Sequence, residues 1–283
     1  MQQGRCYGAA FFAHSRPKMN DLKIQPEIRI LHHMARSGGT IISRCLGCMD
    51  GVYLLSEIHP RGLQFINPLH QADQWYGLLT GNDIADITQR GGIGFVPGIA
   101  LINRRCQQRG GTLLIRDWSH LDFTGWPHLP DPTYRLTTAE ILRNRFSVIH
   151  TSTVRHPIDQ WLSFRESQNW TNSSMPLEDF LRGYRRFAEQ SAAIGFVRYE
   201  DFTRDPTQAL RTICYLLRIT YDDDFRNNWS SYVKITTAPG KRDGGFVIRQ
   251  RVRPSVGAEL LEQFDDNEDY HHAISILGYK HPQ

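Results

Sequence analysis

The chain has little imbalance of charge, few cysteines and no apolar run that approaches the length of a membrane span. Over 283 residues, 33 Lys and Arg stand against 29 Asp and Glu, a formal net charge of +4. That is too mild to draw the whole molecule onto a polyanion, so nucleic acid is not an expected partner. Cys6, Cys45, Cys48, Cys106 and Cys214 form an odd, scattered set. A disulfide framework is therefore not expected, and a reducing, cytoplasmic setting is the simpler expectation. Cys45 and Cys48 make a C-x-x-C, but with no second pair to complete a zinc site they read as one face of a packed helix. Gly8 to Ala13 is too short for the apolar core of a secretory signal. Met19 stands just before the first ordered-looking segment, so residues 1–18 are expected to be disordered or absent from the native translation product.

What is present is organised around Ile28 to Cys45, IRILHHMARSGGTIISRC. An apolar run ends in the turn Ala35-Arg36-Ser37-Gly38-Gly39-Thr40, and an amphipathic run follows at once through Ile41, Ile42 and Leu46. This reads as strand, glycine loop, helix. Adjacent glycines let a backbone approach a ligand closely, and amides opening a helix form a site for phosphate or sulfate. The loop lacks the earlier glycine and the lysine of the G-x-x-x-x-G-K-[ST] nucleotide loop, so by itself it is equally a structural turn.

Further along, Val52 to Leu55 is a short strand that leads into Glu57, at the carboxyl edge where open α/β sheets set their ligands. Residues 61–98, rich in Gly, Pro, Asn and Gln, are expected to be irregular, and a helix is predicted over Ile99 to Arg109. Thr112 to Ile115 is a strand ending in Arg116-Asp117-Trp118-Ser119-His120. Asp117 could hold magnesium in a kinase, although Arg116 beside it is expected to pair with it. His120 is either a proton acceptor or a structural histidine. Phe146 to Val154 is a third strand, which sets Arg155 at its carboxyl end. Pro157 starts a helix with Ser163 two turns in. A planar set of donors and a hydroxyl suit a second phosphate, and equally a helix end and a helix surface. A helix over Leu177 to Gln190, a strand Gly195 to Tyr199 and a helix Pro206 to Leu217 follow, with one or two closing helices in Ala258 to Gly278. Pro239 to Gly245 is a basic glycine loop containing Lys241 and Arg242, followed by Arg249, Arg251 and Arg253. This alternation predicts an α/β fold of one domain: a central, mostly parallel sheet flanked by helices.

Four of these places together resemble the sulfotransferase family that uses 3′-phosphoadenosine 5′-phosphosulfate (PAPS). Met34 to Thr40 (MARSGGT) resembles its 5′-phosphosulfate loop, and Thr153 to Ser163 (TVRHPIDQWLS) its 3′-phosphate motif, with arginine and serine eight positions apart. Phe196 to Pro206 is similar to a later strand and turn, and the basic loop at Lys241 and Arg242 occupies the position of the cofactor-covering segment. An arginine at position 36 is more similar to carbohydrate-type and bacterial members than to the cytosolic steroid and phenol type. The resemblance implies a sulfotransferase-like domain over 19–283, of the P-loop nucleotide-binding type, and transfer of a sulfuryl group to a hydroxyl or amine of a small-molecule or carbohydrate acceptor, with no metal required. It implies that Arg36, Ser37, Gly38, Gly39, Thr40 and Ile41 hold the 5′-phosphosulfate. Arg155 and Ser163 would hold the 3′-phosphate, and Lys241 and Arg242 would close over the donor. Glu57 is the first choice for the base and His120 the second. A nucleotide kinase using Mg-ATP, or a non-catalytic nucleotide-binding protein on the same scaffold, remains the alternative.

Overall fold

The computed structural model describes residues 25–168, 175–236, 247–249 and 252–282. The expectations for residues 1–18 and for Lys241 and Arg242 lie outside these. Five strands, β1 (Glu27–His32), β2 (Val52–Ile58), β3 (Thr112–Asp117), β4 (Ser147–Val154) and β5 (Phe196–Arg198), pair in the order β2-β3-β1-β4-β5. Every pairing is parallel. The helices of the first half are α1 (Gly39–Gly47), α2 (Pro68–Tyr76), α3 (Gly81–Gln89), α4 (Phe95–Gln108), α5 (His120–Phe123) and α6 (Thr137–Leu142). Those of the second half are α7 (Pro157–Gln168), α8 (Leu177–Ile194), α9 (Tyr199–Arg204), α10 (Pro206–Leu217), α11 (Phe225–Asn228), α12 (Ala258–Asp265) and α13 (Glu268–Leu277). The predicted α/β architecture is thus what the chain adopts. Among the described residues no helix is long and apolar enough to cross a membrane.

The period of two along each strand divides the core between the faces of the sheet. Ile28, Ile30 and Ile115 pack on one face with Ile99 and Ile102 of α4 and Phe187 of α8. Leu31, Leu54 and Leu114 pack on the other with Ile42 and Leu46 of α1 and Leu210 and Ile213 of α10. Each fully buried side chain of this kind stabilises the fold by about 1.5–3 kcal/mol. The sheet is therefore rigid beneath its carboxyl edge. Because β1 is central, with β3 and β4 as neighbours, the turns that follow these three strands meet at that edge.

Residues 61–98 are not irregular. Their polar and turn-forming residues are helix starts: Asn67 accepts the Leu69 amide with Pro68 in the first turn of α2, and Thr80 and Asp83 form a reciprocal cap on α3. The strand expected over Gly195 to Tyr199 is shorter, since Tyr199 already opens α9.

Candidate active site

The loop between β1 and α1 is turned inward at Ser37, which is fully buried and gives its hydroxyl to Met34 O at 2.9 Å. Gly38 caps α1 with φ of 85°, in the left-handed region, and with no side chain to engage the first-turn amides. Among the described residues the hydrogen bonds inside the loop use the amides of Ser37, Ile41 and Ile42, not those of Gly38, Gly39 and Thr40. Ile41, expected among the ligand-holding residues, gives its N–H to Gly38 O at 3.2 Å. The two glycines have a packing reason of their own. A Cβ at Gly38 would lie 2.1 Å from the Tyr199 ring, and one at Gly39 would lie 2.2 Å from the His33 ring. They are small because protein rings are packed on them.

The second motif is fastened directly to the first. Arg36 gives its Nε–H to Ser163 Oγ at 3.1 Å and Ser163 O at 3.2 Å, and Arg155 Nη1 donates to Arg36 O at 3.2 Å. Gln160 donates to Ala35 O at 2.7 Å, so α7 and the loop form one unit. Arg155 also lies over the Tyr199 ring, 5.1 Å from its centre. Beside it is a cleft of about 610 Å³ whose walls include Arg155, His156, Tyr199 and Arg253. Arg253 is held there by Asp159 at 2.6 and 3.0 Å.

Glu57 sits on a bulge. Ser56 pairs with Arg116 and Ile58 with Asp117, which leaves Glu57 as the extra residue. The insertion turns Ile58 into the α4 and α8 side of the core and sends Glu57, at φ of 58°, out of the ladder. Of the four non-glycine residues with positive φ among the described residues, two are Arg36 and Glu57. Such strain concentrates at sites that bind or react.

Arg116, not singled out as a site residue from the sequence, is central. It is 4% exposed and does not pair with Asp117, because successive residues of a strand face opposite sides of a sheet. Its guanidinium lies on the α1 face, bonded to His33 Nε2 at 2.9 Å, Ser56 Oγ at 2.8 Å and Thr40 Oγ1 at 3.2 Å, with Glu57 Oε1 at 3.4 Å. Burial lowers its proton affinity and Glu57 opposes that shift. Asp117 points the other way into a closed polar network, where it accepts from His32 Nδ1 at 2.8 Å, Ser119 Oγ at 2.6 Å and Thr138 Oγ1 at 2.6 Å. Burial opposes its ionisation, but these bonds, with His32 first, hold its carboxyl well below the usual range. Both oxygens are thus engaged inside a fully buried network, which is not the open carboxylate a magnesium ion needs.

His120, half-buried, stands at the first position of α5 between the rings of Trp118 and His128, at 5.4 and 6.5 Å. Burial first, then His128, His59 and Arg116, lowers its pKa to about 3. At neutral pH it is an uncharged imidazole and a weak proton acceptor.

No protein-family model matches the chain, and neither does any curated protein. Two of the solved structures that resemble it match nearly its whole length. One is the sulfotransferase domain from the curacin biosynthetic pathway, with 14% identity, 92% of this chain and 100% of that chain covered, and a TM-score of 0.60. The other is the sulfotransferase domain from the Synechococcus PCC 7002 olefin synthase, with 20% identity, 93% and 91% covered, and a TM-score of 0.52. The chain has the fold of sulfotransferase domains; at these identities the likeness is one of fold.

Proposed function

We propose that this chain is a PAPS-dependent sulfotransferase, of the arginine-loop type seen in bacterial and carbohydrate-directed members. The observation that carries the reading is the direct link between the two anion motifs, Arg36 on Ser163 and Arg155 on the loop carbonyl of residue 36. Two phosphate sites joined in this way fit a donor with phosphates at both ends of one ribose. The donor set fits as well. Among the described residues the amides of Gly38 to Thr40, at the start of α1, take no part in the hydrogen bonds of the loop, and Arg155 supplies a fixed fork of donors. Ser163 Oγ, which takes the Arg36 N–H, keeps its own proton to give to an anion.

In the reaction, the acceptor oxygen or nitrogen bonds to sulfur as the bond from sulfur to the 5′-phosphate oxygen breaks, and that oxygen leaves with the electron pair. Arg36 and the loop amides offset the charge that grows on it. Glu57 takes the acceptor proton, with His120 in second place because its basicity is depressed. The acceptor is a small molecule or carbohydrate bearing a hydroxyl or amine. Lys241 and Arg242 are proposed to cover the donor. The kinase alternative draws no support from Asp117, whose oxygens are taken by internal donors.

Calorimetric titration tests this. Adenosine 3′,5′-bisphosphate in EDTA should bind, and Arg155→Ala should weaken it by about 10–100-fold, the effect of losing a charge-assisted hydrogen bond. Binding of Mg-ATP alone would turn the case to a kinase, and binding of neither would reject the donor site.

A further inference from the structure

The glycine loop has no lysine, yet a buried cation stands directly under it. Arg116 reaches across from β3, and its donors are matched one by one: Nε to His33, Nη1 to Ser56 Oγ and Thr236 O, Nη2 to Thr40 Oγ1 and towards Glu57. A guanidinium has no acceptor, so in its contact with Thr40 the hydroxyl oxygen must receive. A threonine hydroxyl has a single proton. Among the described residues that proton goes to no protein acceptor, although Thr40 is half-buried in the first turn of α1, next to the amides of Gly38 and Gly39, which take no part in the loop's hydrogen bonds. The hydroxyl therefore keeps its proton available to donate.

We propose that Arg116 is a positioning residue: it fills one lone pair of Thr40 Oγ1, which commits the Thr40 proton to the bound phosphate or sulfuryl oxygen, and it tethers Glu57 beside the same hydroxyl. The arginine acts through Thr40 and need not touch the ligand. The burial of Arg116 supports this role, since a guanidinium with all its donors satisfied holds one geometry with little freedom to lose. The inference rests on the anion-loop part of the function proposed above, and not on the identity of the nucleoside or the acceptor.

The test is a double-mutant cycle on anion binding, with inorganic pyrophosphate and adenosine 3′,5′-bisphosphate as probes in calorimetry. Arg116→Gln and Thr40→Val should each weaken both probes by about tenfold, the usual cost of one hydrogen bond to a charged group. In the Thr40→Val background, Arg116→Gln should add less than about twofold, because the pair acts as a unit. Arg116→Lys should recover part of the loss. Additive single effects would overturn the proposal, since a buried charge acting at large would weaken binding with or without the hydroxyl. Should Arg116→Gln fail to fold, Thr40→Ser against Thr40→Val decides: serine is expected to bind as the wild type does, and equal binding by valine overturns the proposal. Wild-type protein that binds neither probe also overturns it. Binding of pyrophosphate with no gain for the bisphosphate would count against the nucleotide reading alone.

Discussion

At the scale of single residues, the site depends on groups held where an isolated chain would not leave them. Glu57 and Arg36 both carry left-handed backbone, and Glu57 leaves its strand only because one extra residue is inserted opposite Arg116. Under the proposed chemistry, Glu57→Gln keeps the shape and removes the proton acceptor. Turnover should fall by about 10²–10⁴-fold, while affinity for adenosine 3′,5′-bisphosphate stays within about threefold. Single-turnover assays beside calorimetry would separate the two quantities, and full activity in this variant would remove Glu57 from the mechanism. Glu57 itself was legible in the sequence, as a carboxylate at a strand end beside the glycine loop. Arg116 was misread: proximity in sequence suggested a pair with Asp117, whereas strand geometry sends the two to opposite faces of the sheet.

At the scale of elements, the loop is a joint between β1, α7 and α9. Gln160 and Arg155 hold it from the side of α7, and the Tyr199 ring at the start of α9 packs on Gly38 while it supports Arg155. Gly38→Ala would meet that ring and also suffer the cost of φ of 85°. The variant should lose about 1–3 kcal/mol of stability in urea denaturation. It should also bind the bisphosphate more weakly, because displacing Tyr199 moves the support of Arg155. An unchanged urea midpoint would mean that the loop and ring yield freely. The helices α2 and α3 show the opposite lesson for sequence reading. Asn67, Pro68, Thr80 and Asp83 look like loop residues by composition and are cap residues by position, and only the hydrogen bonds they make distinguish the two.

At the scale of the whole molecule, several histidines are held neutral by burial. The pKa of His120 and of His150 is lowered to about 3, that of His156 to about 4, and that of His33 well below its ordinary 6.5. His150 sits between Arg143, which donates to its Nε2 at 3.0 Å, and His32, at 3.1 Å from its Nδ1. The unfolded chain binds protons at these positions below pH 6.5 and the folded chain does not. Stability is therefore full above about pH 6.5 and falls as the pH drops towards 4 and 3, by up to about 1.4 kcal/mol per pH unit for each such histidine. Urea midpoints should fall steeply between pH 7 and pH 5, and His150→Asn should make that fall shallower. A flat profile would show that these rings are open to solvent. By itself the sequence determined the alternation of strands and helices, the glycine loop and the eight-residue spacing that puts Arg155 and Ser163 on one strand end and the helix after it. All of these are written in local periods, caps and turn residues. Only the tertiary structure decided that β3 lies between β1 and β2, that a bulge turns Glu57 out, and that Arg116 therefore meets Thr40 and Glu57 while Asp117 is sealed beneath. Strand order and bulges are settled by long-range packing, and no local pattern along the chain records which neighbour a strand will find.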